Sequence, residues 1–239
     1  MAERIDDLHR NGYKLIQDTD NFRFGSDAVL LSGFAKVKKN ENALDLGCGA
    51  GVIPVLLSAK TEGASFAGLE IQESLADMAR RSVEMNGLAE RVKIITGDIN
   101  NIKNIFKPAS FSVVTANPPY IKNKSGVVNF SAAETIARHE TLTDLKGVIS
   151  AAAYALRRGG RFYMVHRPDR LAEIMRLFTE FGFEIKTLRF VQAFAGKKPS
   201  MALIMASLRG GAGLDVFPPL IIYKEPGVYT DETARIYYG

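Results

Sequence analysis

The sequence lacks several features that mark common protein classes. It has one cysteine, Cys48, and three histidines among 239 residues. One cysteine excludes an intrachain disulfide, and the absence of a Cys/His cluster argues against a zinc site, so we expect no metal. No apolar run reaches the ~20 residues that cross a bilayer, and residues 1–10 lack the apolar core of a signal peptide. These absences predict a cytoplasmic protein that does not enter a membrane.

The bulk composition is that of a folded protein with a mildly basic balance. Apolar residues make up 46% and charged residues 24% of the chain, which argues against extensive disorder. The formal net charge of +5 is compatible with a nucleic-acid partner but does not require one. The length favours a single domain over residues 1–239, with an N-terminal element (1–40), a core (41–210) and a C-terminal tail (211–239).

Short apolar runs alternate with helical segments along most of the chain. Strands are predicted over residues 43–46, 64–71, 91–96, 111–116 and 161–166, and helices over residues 52–59, 73–86, 142–156 and 170–181. This alternation predicts a Rossmann-like α/β fold, in which helices cover both faces of a mostly parallel, seven-stranded sheet. Two more strands, at 185–193 and 200–207, have no helix between them and predict an antiparallel edge strand. The tail after residue 213 shows no periodicity.

A glycine-rich turn follows the first of these strands. Its sequence is Asp45-Leu46-Gly47-Cys48-Gly49-Ala50-Gly51. Ligands of doubly wound sheets bind where strands end and helices begin, and glycines let the backbone approach a ligand closely. Asp45 can pair there with the ammonium of an amino-acid ligand, whereas Cys48 is interpreted as a small buried side chain within the turn.

Acidic residues also follow the next two strands. A carboxylate at Glu70 can accept hydrogen bonds from both hydroxyls of a ribose. Asp98 can accept a hydrogen bond from an adenine amino group. The neighbouring residues Ile71 and Ile99 are included in the predicted site. Three acidic residues at successive strand ends indicate a nucleoside ligand more strongly than any one of them, because each alone is also typical of a solvated strand end.

The spacing of the glycines distinguishes two kinds of nucleoside ligand. Nicotinamide-binding Rossmann proteins usually carry G-x-G-x-x-G, which places a pyrophosphate on a helix N-terminus. Here the spacing is G-x-G-x-G. This pattern resembles that of class I methyltransferases, whose cofactor, S-adenosylmethionine, contains no phosphate.

The fourth strand ends in the most specific motif of the chain, Asn117-Pro118-Pro119-Tyr120. The two prolines stiffen the turn and remove backbone donors, so its carbonyls can act as acceptors. Two acceptors, the Asn117 side chain and the Pro118 carbonyl, can hold a planar amine and favour its pyramidalisation. Tyr120 can stack on the ring that carries the amine. We therefore predict catalysis of methyl transfer to nitrogen at this turn.

The order of these motifs resembles that of the amino-methyltransferases with the N-P-P-Y signature, which include adenine-N6, guanine-N2 and release-factor glutamine enzymes. Residues 22–31, FRFGSDAVLL, are more specifically similar to the bacterial tRNA1(Val) adenine-N6 methyltransferase family, which modifies the adenine next to the anticodon. This resemblance covers residues 10–225. It implies S-adenosylmethionine as cofactor, S-adenosylhomocysteine as product, and an N-terminal element that covers the cofactor.

The same resemblance places Phe24, Ser26 and Asp27 beside the methionine part of the cofactor. From the residues alone, Ser26 or Asp27 is the N-cap of a helix that extends through Phe34, and Phe24 is equally a core residue. The resemblance also implies an RNA partner, in particular tRNA, and we favour a monomer. Loop lysines are the predicted phosphate contacts: Lys122, Lys124, Lys197 and Lys198.

Other functions remain open from the sequence. A glutamine methyltransferase of the release-factor type generally has a helical domain before the catalytic one, and only about forty residues precede the first strand here. Guanine-N2 enzymes of the rRNA type often carry a second, degenerate domain, for which the chain has no room. A non-catalytic RNA-binding module is the alternative from another class, but such a module does not need two amine acceptors at residues 117 and 118.

Overall fold

The computed structural model describes residues 3–18, 25–119 and 145–239. Its strands are β1 (Glu3–Asp7), β2 (Lys14–Asp18), β3 (Asn42–Leu46), β4 (Ser65–Glu70), β5 (Val92–Thr96), β6 (Phe111–Ala116), β7 (Leu156–His166), β8 (Phe183–Gln192), β9 (Met201–Leu208), β10 (Asp215–Ile221), β11 (Tyr223–Glu225) and β12 (Val228–Tyr229). Its α-helices are α1 (Ser26–Phe34), α2 (Val52–Lys60), α3 (Glu73–Met85), α4 (Ile102–Ile105), α5 (Leu145–Ala155), α6 (Leu171–Glu180) and α7 (Asp231–Tyr238). No helix in these ranges is both long and apolar enough to span a membrane.

A single large sheet organises the fold and confirms the predicted Rossmann-like α/β class. Its eight strands lie in the order β10-β8-β9-β7-β6-β3-β4-β5. Neighbouring strands are parallel except at β9, which is antiparallel to both β7 and β8. The described residues contribute eight strands to this sheet instead of seven, and its antiparallel strand is internal, not at the edge. After β7 the chain passes through α6 and enters the sheet again as β8, leaving one strand position open next to β7. The next strand, β9, then runs in the opposite direction and pairs with both β7 and β8 in the gap between them.

The eighth strand comes from the segment that the sequence predicts as a non-periodic tail. β10 pairs in parallel with the outer side of β8 and contains Pro218 and Pro219. Proline lacks a backbone donor and is tolerated mainly on edge strands. Most of β10 is exposed on both faces, so it has no apolar alternation that a sequence pattern could detect.

The central strands are buried on both faces, as the alternation of strands and helices requires. Every residue of β6 is buried. Ala43 and Val113 pack into a cluster with residues of α1 and α2, whereas the adjacent residues Leu44 and Val114 pack into a second cluster with residues of α5 and α6. Successive side chains of a strand point to opposite faces, so the two clusters lie on opposite sides of the sheet.

The N-terminal residues form a hairpin that the sequence did not indicate. β1 and β2 pair in antiparallel register. The hairpin is attached to α3, because the backbone N–H of Ile16 donates to Ser82 Oγ at 2.9 Å and Arg81 pairs with Glu3 at 2.7 Å. The helix predicted through Phe34 is present as α1, but its N-cap is Gly25. The predicted cap at Ser26 or Asp27 is wrong because Gly25 already adopts the extended cap conformation.

Candidate active site

The strand register brings the predicted strand-end residues to one edge of the sheet. Leu46, at the end of β3, lies in register with the last residue of β6 and the penultimate residue of β4. Glu70, at the end of β4, lies in register with the last residue of β5. The glycine turn, Glu70, Asp98 and Asn117 therefore lie together at the carboxyl edge, where α/β sheets bind ligands.

Asp45 is the most unusual charged group at this edge. Its side chain is buried, and Thr115 of β6 donates a hydrogen bond to Oδ1 at 2.6 Å. The second oxygen, Oδ2, is buried without a hydrogen-bond partner among the described residues. Burial, together with the nearby charge of Glu70, raises the pKa of Asp45 to about 8. A buried, unpartnered carboxylate oxygen fits an incoming cationic donor such as an ammonium group.

Glu70 connects the glycine turn to the start of α3. The backbone N–H of Gly49 donates to its Oε2 at 2.8 Å, and the N–H of Gln72 donates to its Oε1 at 2.9 Å. Burial raises the pKa of Glu70, whereas these two hydrogen bonds lower it; the effect of burial is larger, so the pKa lies above its usual value. Each carboxylate oxygen has a second acceptor site. Glu70 can therefore hold the turn and accept two ribose hydroxyls at once.

The glycine turn is positioned by close backbone approaches. Gly51 has a φ of +87°, and a Cβ at this position would lie 2.9 Å from the Cβ of Ala79 in α3. Gly68 of β4 makes room for Cys48, because a Cβ there would lie 2.6 Å from Sγ. Cys48 is buried, and this burial raises the pKa of its thiol well above its usual range. Cys48 therefore packs beneath the turn as an uncharged side chain.

Three more predicted cofactor residues, Asp98, Ile99 and Ile71, follow the ends of β5 and β4. Asp98 begins the short 3-10 helix Ile99–Asn101, and its Oδ1 accepts a hydrogen bond from the N–H of Asn100 at 2.8 Å. Ile99 is buried beside the turn, near the position of Gly47. Ile71 instead exposes 42% of its surface directly after Glu70. Its exposed methyl and methylene groups can contact the apolar face of a planar ring.

The catalytic motif is described in part. Asn117 is half-buried, Pro118 is buried and Pro119 is exposed. Tyr120, Lys122, Lys124 and Phe24 lie outside the described residues.

The other predicted site residues lie on two different segments. Ser26 and Asp27 form the first turn of α1, where Asp27 Oδ1 accepts from the N–H of Ala28 at 2.9 Å. Lys197 and Lys198 are exposed between β8 and β9. Because β8 runs parallel to β6, this loop lies at the carboxyl edge, but three strand spacings of ~4.8 Å, about 14 Å in all, separate the two strands.

Thr115 is a site residue that the sequence reasoning missed. It is fully buried on β6 and fixes the orientation of Asp45 through its hydroxyl. The signal was present, because Thr115 is one of only two polar residues in the otherwise apolar strand FSVVTA. Its function became visible only through the pairing of β6 with β3.

The sheet order and the glycine turn at the carboxyl edge define a Rossmann-like α/β protein. A family model for a methyltransferase domain matches residues 37–202. The chain therefore belongs to this methyltransferase family, and its cofactor is S-adenosylmethionine.

Individual relatives agree with this assignment. The chain is 28% identical over 214 residues to a tRNA1(Val) (adenine(37)-N6)-methyltransferase of Cronobacter sakazakii, which covers 87% of this chain and 86% of the relative. It is 26% identical to a protein of the same name from Porphyromonas gingivalis, with 90% and 86% covered. The crystal structure of a predicted O-methyltransferase from Agrobacterium tumefaciens superposes with a TM-score of 0.70 at 22% identity and covers 88% of this chain and 95% of that chain. These relatives confirm the resemblance to the bacterial tRNA1(Val) adenine-N6 methyltransferases.

The hydrogen bonds of Glu70 lead to a testable expectation for cofactor binding. Glu70→Ala should weaken S-adenosylmethionine binding by roughly ten- to a hundredfold, because hydrogen bonds to a charged acceptor contribute about 1.5–3 kcal/mol. Glu70→Gln should lose less, since it keeps one acceptor oxygen. Isothermal titration calorimetry without RNA measures both constants, with the exposed Glu84→Ala in α3 as a matched control. Wild-type affinity in a folded Glu70→Ala protein would remove Glu70 from the site.

Proposed function

We propose that this protein is a tRNA adenine-N6 methyltransferase that acts on an adenine next to the anticodon of tRNA1(Val). The single observation that carries the proposal is the arrangement of the glycine turn, Glu70 and Asn117 at adjacent strand ends. The names of the relatives from Cronobacter sakazakii and Porphyromonas gingivalis support the choice of tRNA and of adenine N6.

Each residue at the carboxyl edge has a proposed task. S-adenosylmethionine, when bound, supplies an electrophilic methyl group on a sulfonium centre. Asp45 binds the ammonium of the methionine part through its free Oδ2, and Glu70 binds the ribose hydroxyls. Asp98 accepts a hydrogen bond from the adenine amino group, while Ile71 and Ile99 contact the ring. We assign Ser26 and Asp27, at the start of α1, to the methionine part; Phe24 is assigned to it on the sequence alone.

The turn at Asn117 and Pro118 holds the substrate amine in this mechanism. The nitrogen lone pair of an exocyclic amine is delocalised into the ring and is a poor nucleophile. The Asn117 side-chain carbonyl and the Pro118 backbone carbonyl accept its two hydrogens and favour pyramidalisation, which directs the lone pair at the methyl group. Pro119 stiffens the turn and Tyr120 stacks on the base. The amine loses one proton after transfer, and no strong base is needed.

Basic residues at the same edge supply the proposed contacts to RNA. Lys197 and Lys198 carry two exposed charges between β8 and β9. An RNA stem that places one base at Asn117 can also reach the loop after β8, because a double helix is wider than the separation of about 14 Å between β6 and β8. We assign Lys122 and Lys124 the same function on the sequence alone.

The loop lysines predict a measurable change in RNA affinity. Lys197→Ala and Lys198→Ala should each weaken tRNA binding and reduce the slope of log affinity against log salt by about one, while cofactor affinity stays the same. Lys93→Ala, at the opposite edge of the sheet on β5, is a charge-matched control. Filter binding at several salt concentrations gives the slopes. Slopes equal to that of the wild type would show that the two lysines do not contact phosphate.

The proposed reaction has a direct test in cells. Nucleosides from purified tRNA1(Val) should contain N6-methyladenosine when the gene is present and lose it when the gene is deleted, as measured by mass spectrometry. The purified protein should restore the modification in vitro with S-adenosylmethionine. Methylated glutamine on a release factor or N2-methylguanosine in rRNA, with unchanged tRNA, would support the other amino-methyltransferase activities instead.

The wider organisation follows from the same proposal. We infer one methyltransferase domain over residues 1–239, in which residues 41–210 form the catalytic core and residues 1–40 cover the cofactor and substrate. The absence of a membrane-spanning helix among the described residues and a tRNA substrate support a cytoplasmic location. We propose a monomer that needs no metal ion.

A further inference from the structure

A cavity lies at the edge of the sheet opposite the candidate active site. Its volume is about 690 Å³. Its walls come from the segments that follow α1 and α2 and lead into the amino ends of β3 and β4, from α7, and from the turn of the β1–β2 hairpin. The carboxyl-edge residues do not line this cavity. It is therefore separate from the site described above.

The cavity gathers positive charge from four different elements. Its basic lining residues are Arg10, Lys36, Lys38, Lys60 and Arg235. In the part of the chain that the structure describes, two acidic residues line it, Glu62 and Glu232. Glu232 already forms a salt bridge with Arg189, because its two carboxylate oxygens accept hydrogen bonds from the Arg189 guanidinium at 2.7 and 2.9 Å. The walls thus carry a clear excess of positive charge.

Lys60 and Arg10 have no counterion in the described part of the chain. Lys60 Nζ donates to Ser32 Oγ at 2.9 Å and to the carbonyl of Val29 at 3.4 Å, and both of these acceptors are neutral. Arg10 donates to the carbonyls of Arg235 and Ile236 at the end of α7. Its Nε is buried and finds no hydrogen-bond partner among the described residues.

Clustering these cations is electrostatically unfavourable. Burial, and secondarily the charge of Arg10, lowers the pKa of Lys60 to about 7. The dipole of α2 favours one cation at its last turn, where Lys60 lies, but it does not account for five cations around one cavity. A bound dianion would relieve the repulsion, satisfy free donors and favour the charged form of Lys60.

We propose that this cavity is a binding site for a phosphate group, held by Lys60 and Arg10 and surrounded by Lys36, Lys38 and Arg235. The phosphate group belongs either to a free phosphate compound or to the backbone of a bound RNA. Both sources present the same tetrahedral, multiply charged oxygens to the same donors. The RNA source rests on the proposed function, whereas the free source does not.

Calorimetric titration of the whole protein with inorganic phosphate, and separately with sulfate, tests the site without RNA. The wild type should bind one anion saturably. Lys60→Met keeps the aliphatic stem and removes the charge, and it should weaken binding about tenfold or more. The exposed Lys36→Gln should weaken it less and does not disturb the interior. Lys93→Met, on β5, should retain wild-type affinity.

Proton uptake separates a specific site from general charge attraction. Sulfate remains a dianion near neutral pH, so protons taken up when it binds must go to the protein. At about pH 8 most of Lys60 is neutral, and a dianion beside it raises the pKa, so the wild type should take up protons. Titrations in buffers of different ionisation enthalpy measure this uptake, which Lys60→Met should abolish. Unsaturable binding, or equal affinities in the wild type, Lys60→Met and Lys36→Gln, would overturn the proposal.

Measuring the tRNA affinity of the wild type and of Lys60→Met distinguishes the two sources of the phosphate group. If RNA fills the cavity, Lys60→Met should weaken tRNA binding and lower the slope of log affinity against log salt by about one. Added phosphate should then compete with tRNA for the wild-type protein and weaken tRNA binding in the same way. If a free phosphate compound fills it, tRNA binding should not change while anion binding is lost. Failure of tRNA methylation would refute the proposed function and leave the anion measurements intact.

Discussion

Replacing Asn117 with alanine should lower kcat by roughly 10²–10³-fold, the effect expected when one preorganised hydrogen bond to a transition state is removed. Asn117 directly follows β6, whose last residue lies in register with Leu46, the last residue of β3 before the glycine turn. Its proposed acceptor interaction strengthens as the amine pyramidalises, so its loss falls on the transition state more than on the bound ground state. The affinity for S-adenosylmethionine should stay within a fewfold of the wild type.

Three measurements make this expectation specific to catalysis. Single-turnover rates of tRNA methylation give the chemical step, calorimetry gives cofactor affinity, and thermal unfolding shows whether the variant folds. Asn117→Asp keeps an acceptor oxygen of similar geometry, so it should recover part of the activity that alanine loses. A wild-type rate in Asn117→Ala would refute the proposed mechanism. Equal losses of methylation activity in Asn117→Ala and Asn117→Asp would indicate that the side-chain NH2 group of Asn117 is needed as a hydrogen-bond donor.

The central part of the fold was predictable because its signals are local. The strand over residues 111–116 was predicted with the bounds of β6, and the helix after Gly51 starts where α2 starts. A buried parallel strand is a continuous apolar run, and a glycine turn ends it visibly. The acidic residues Glu70 and Asp98 were predicted together, and the register places them at one edge.

The periphery could not be predicted because its stability comes from tertiary contacts. The hairpin of β1 and β2 is held by partners such as Ser82, which lies 66 residues away from Ile16 in the sequence. β10 exists because β8 offers a free edge, not because of its own apolar pattern. The pairing of Thr115 with Asp45 likewise joins two strands that are distant in sequence. Such contacts leave no trace in periodicity or spacing.

The raised pKa of Asp45 predicts that Asp45→Asn has opposite effects on the stability of the folded protein and on cofactor affinity. The pKa of Asp45 is raised to about 8 from its ordinary value of 3.8, so the folded protein without cofactor holds a proton there that the unfolded chain releases. The contribution of this bound proton to the free energy of unfolding is fully present below pH 3.8, the ordinary pKa of an aspartate. It is lost as the pH rises towards about 8, the pKa of Asp45 in the folded protein. Asp45→Asn keeps an acceptor for Thr115 and removes this dependence. The variant without cofactor should therefore become more stable relative to the wild type as the pH rises.

The same substitution should strongly weaken cofactor binding. The ammonium of S-adenosylmethionine stabilises the ionised form of Asp45, so binding below about pH 8 should release a proton from the wild type. Loss of one partner from a buried charge pair costs about 2–5 kcal/mol, so Asp45→Asn should weaken binding by more than tenfold and release no such proton. Calorimetry in two buffers, with denaturant unfolding across the pH range, measures both effects on the same two proteins. Wild-type affinity in Asp45→Asn would show that Oδ2 does not bind the ammonium, and parallel pH profiles of stability would show that Asp45 is ionised in the folded protein.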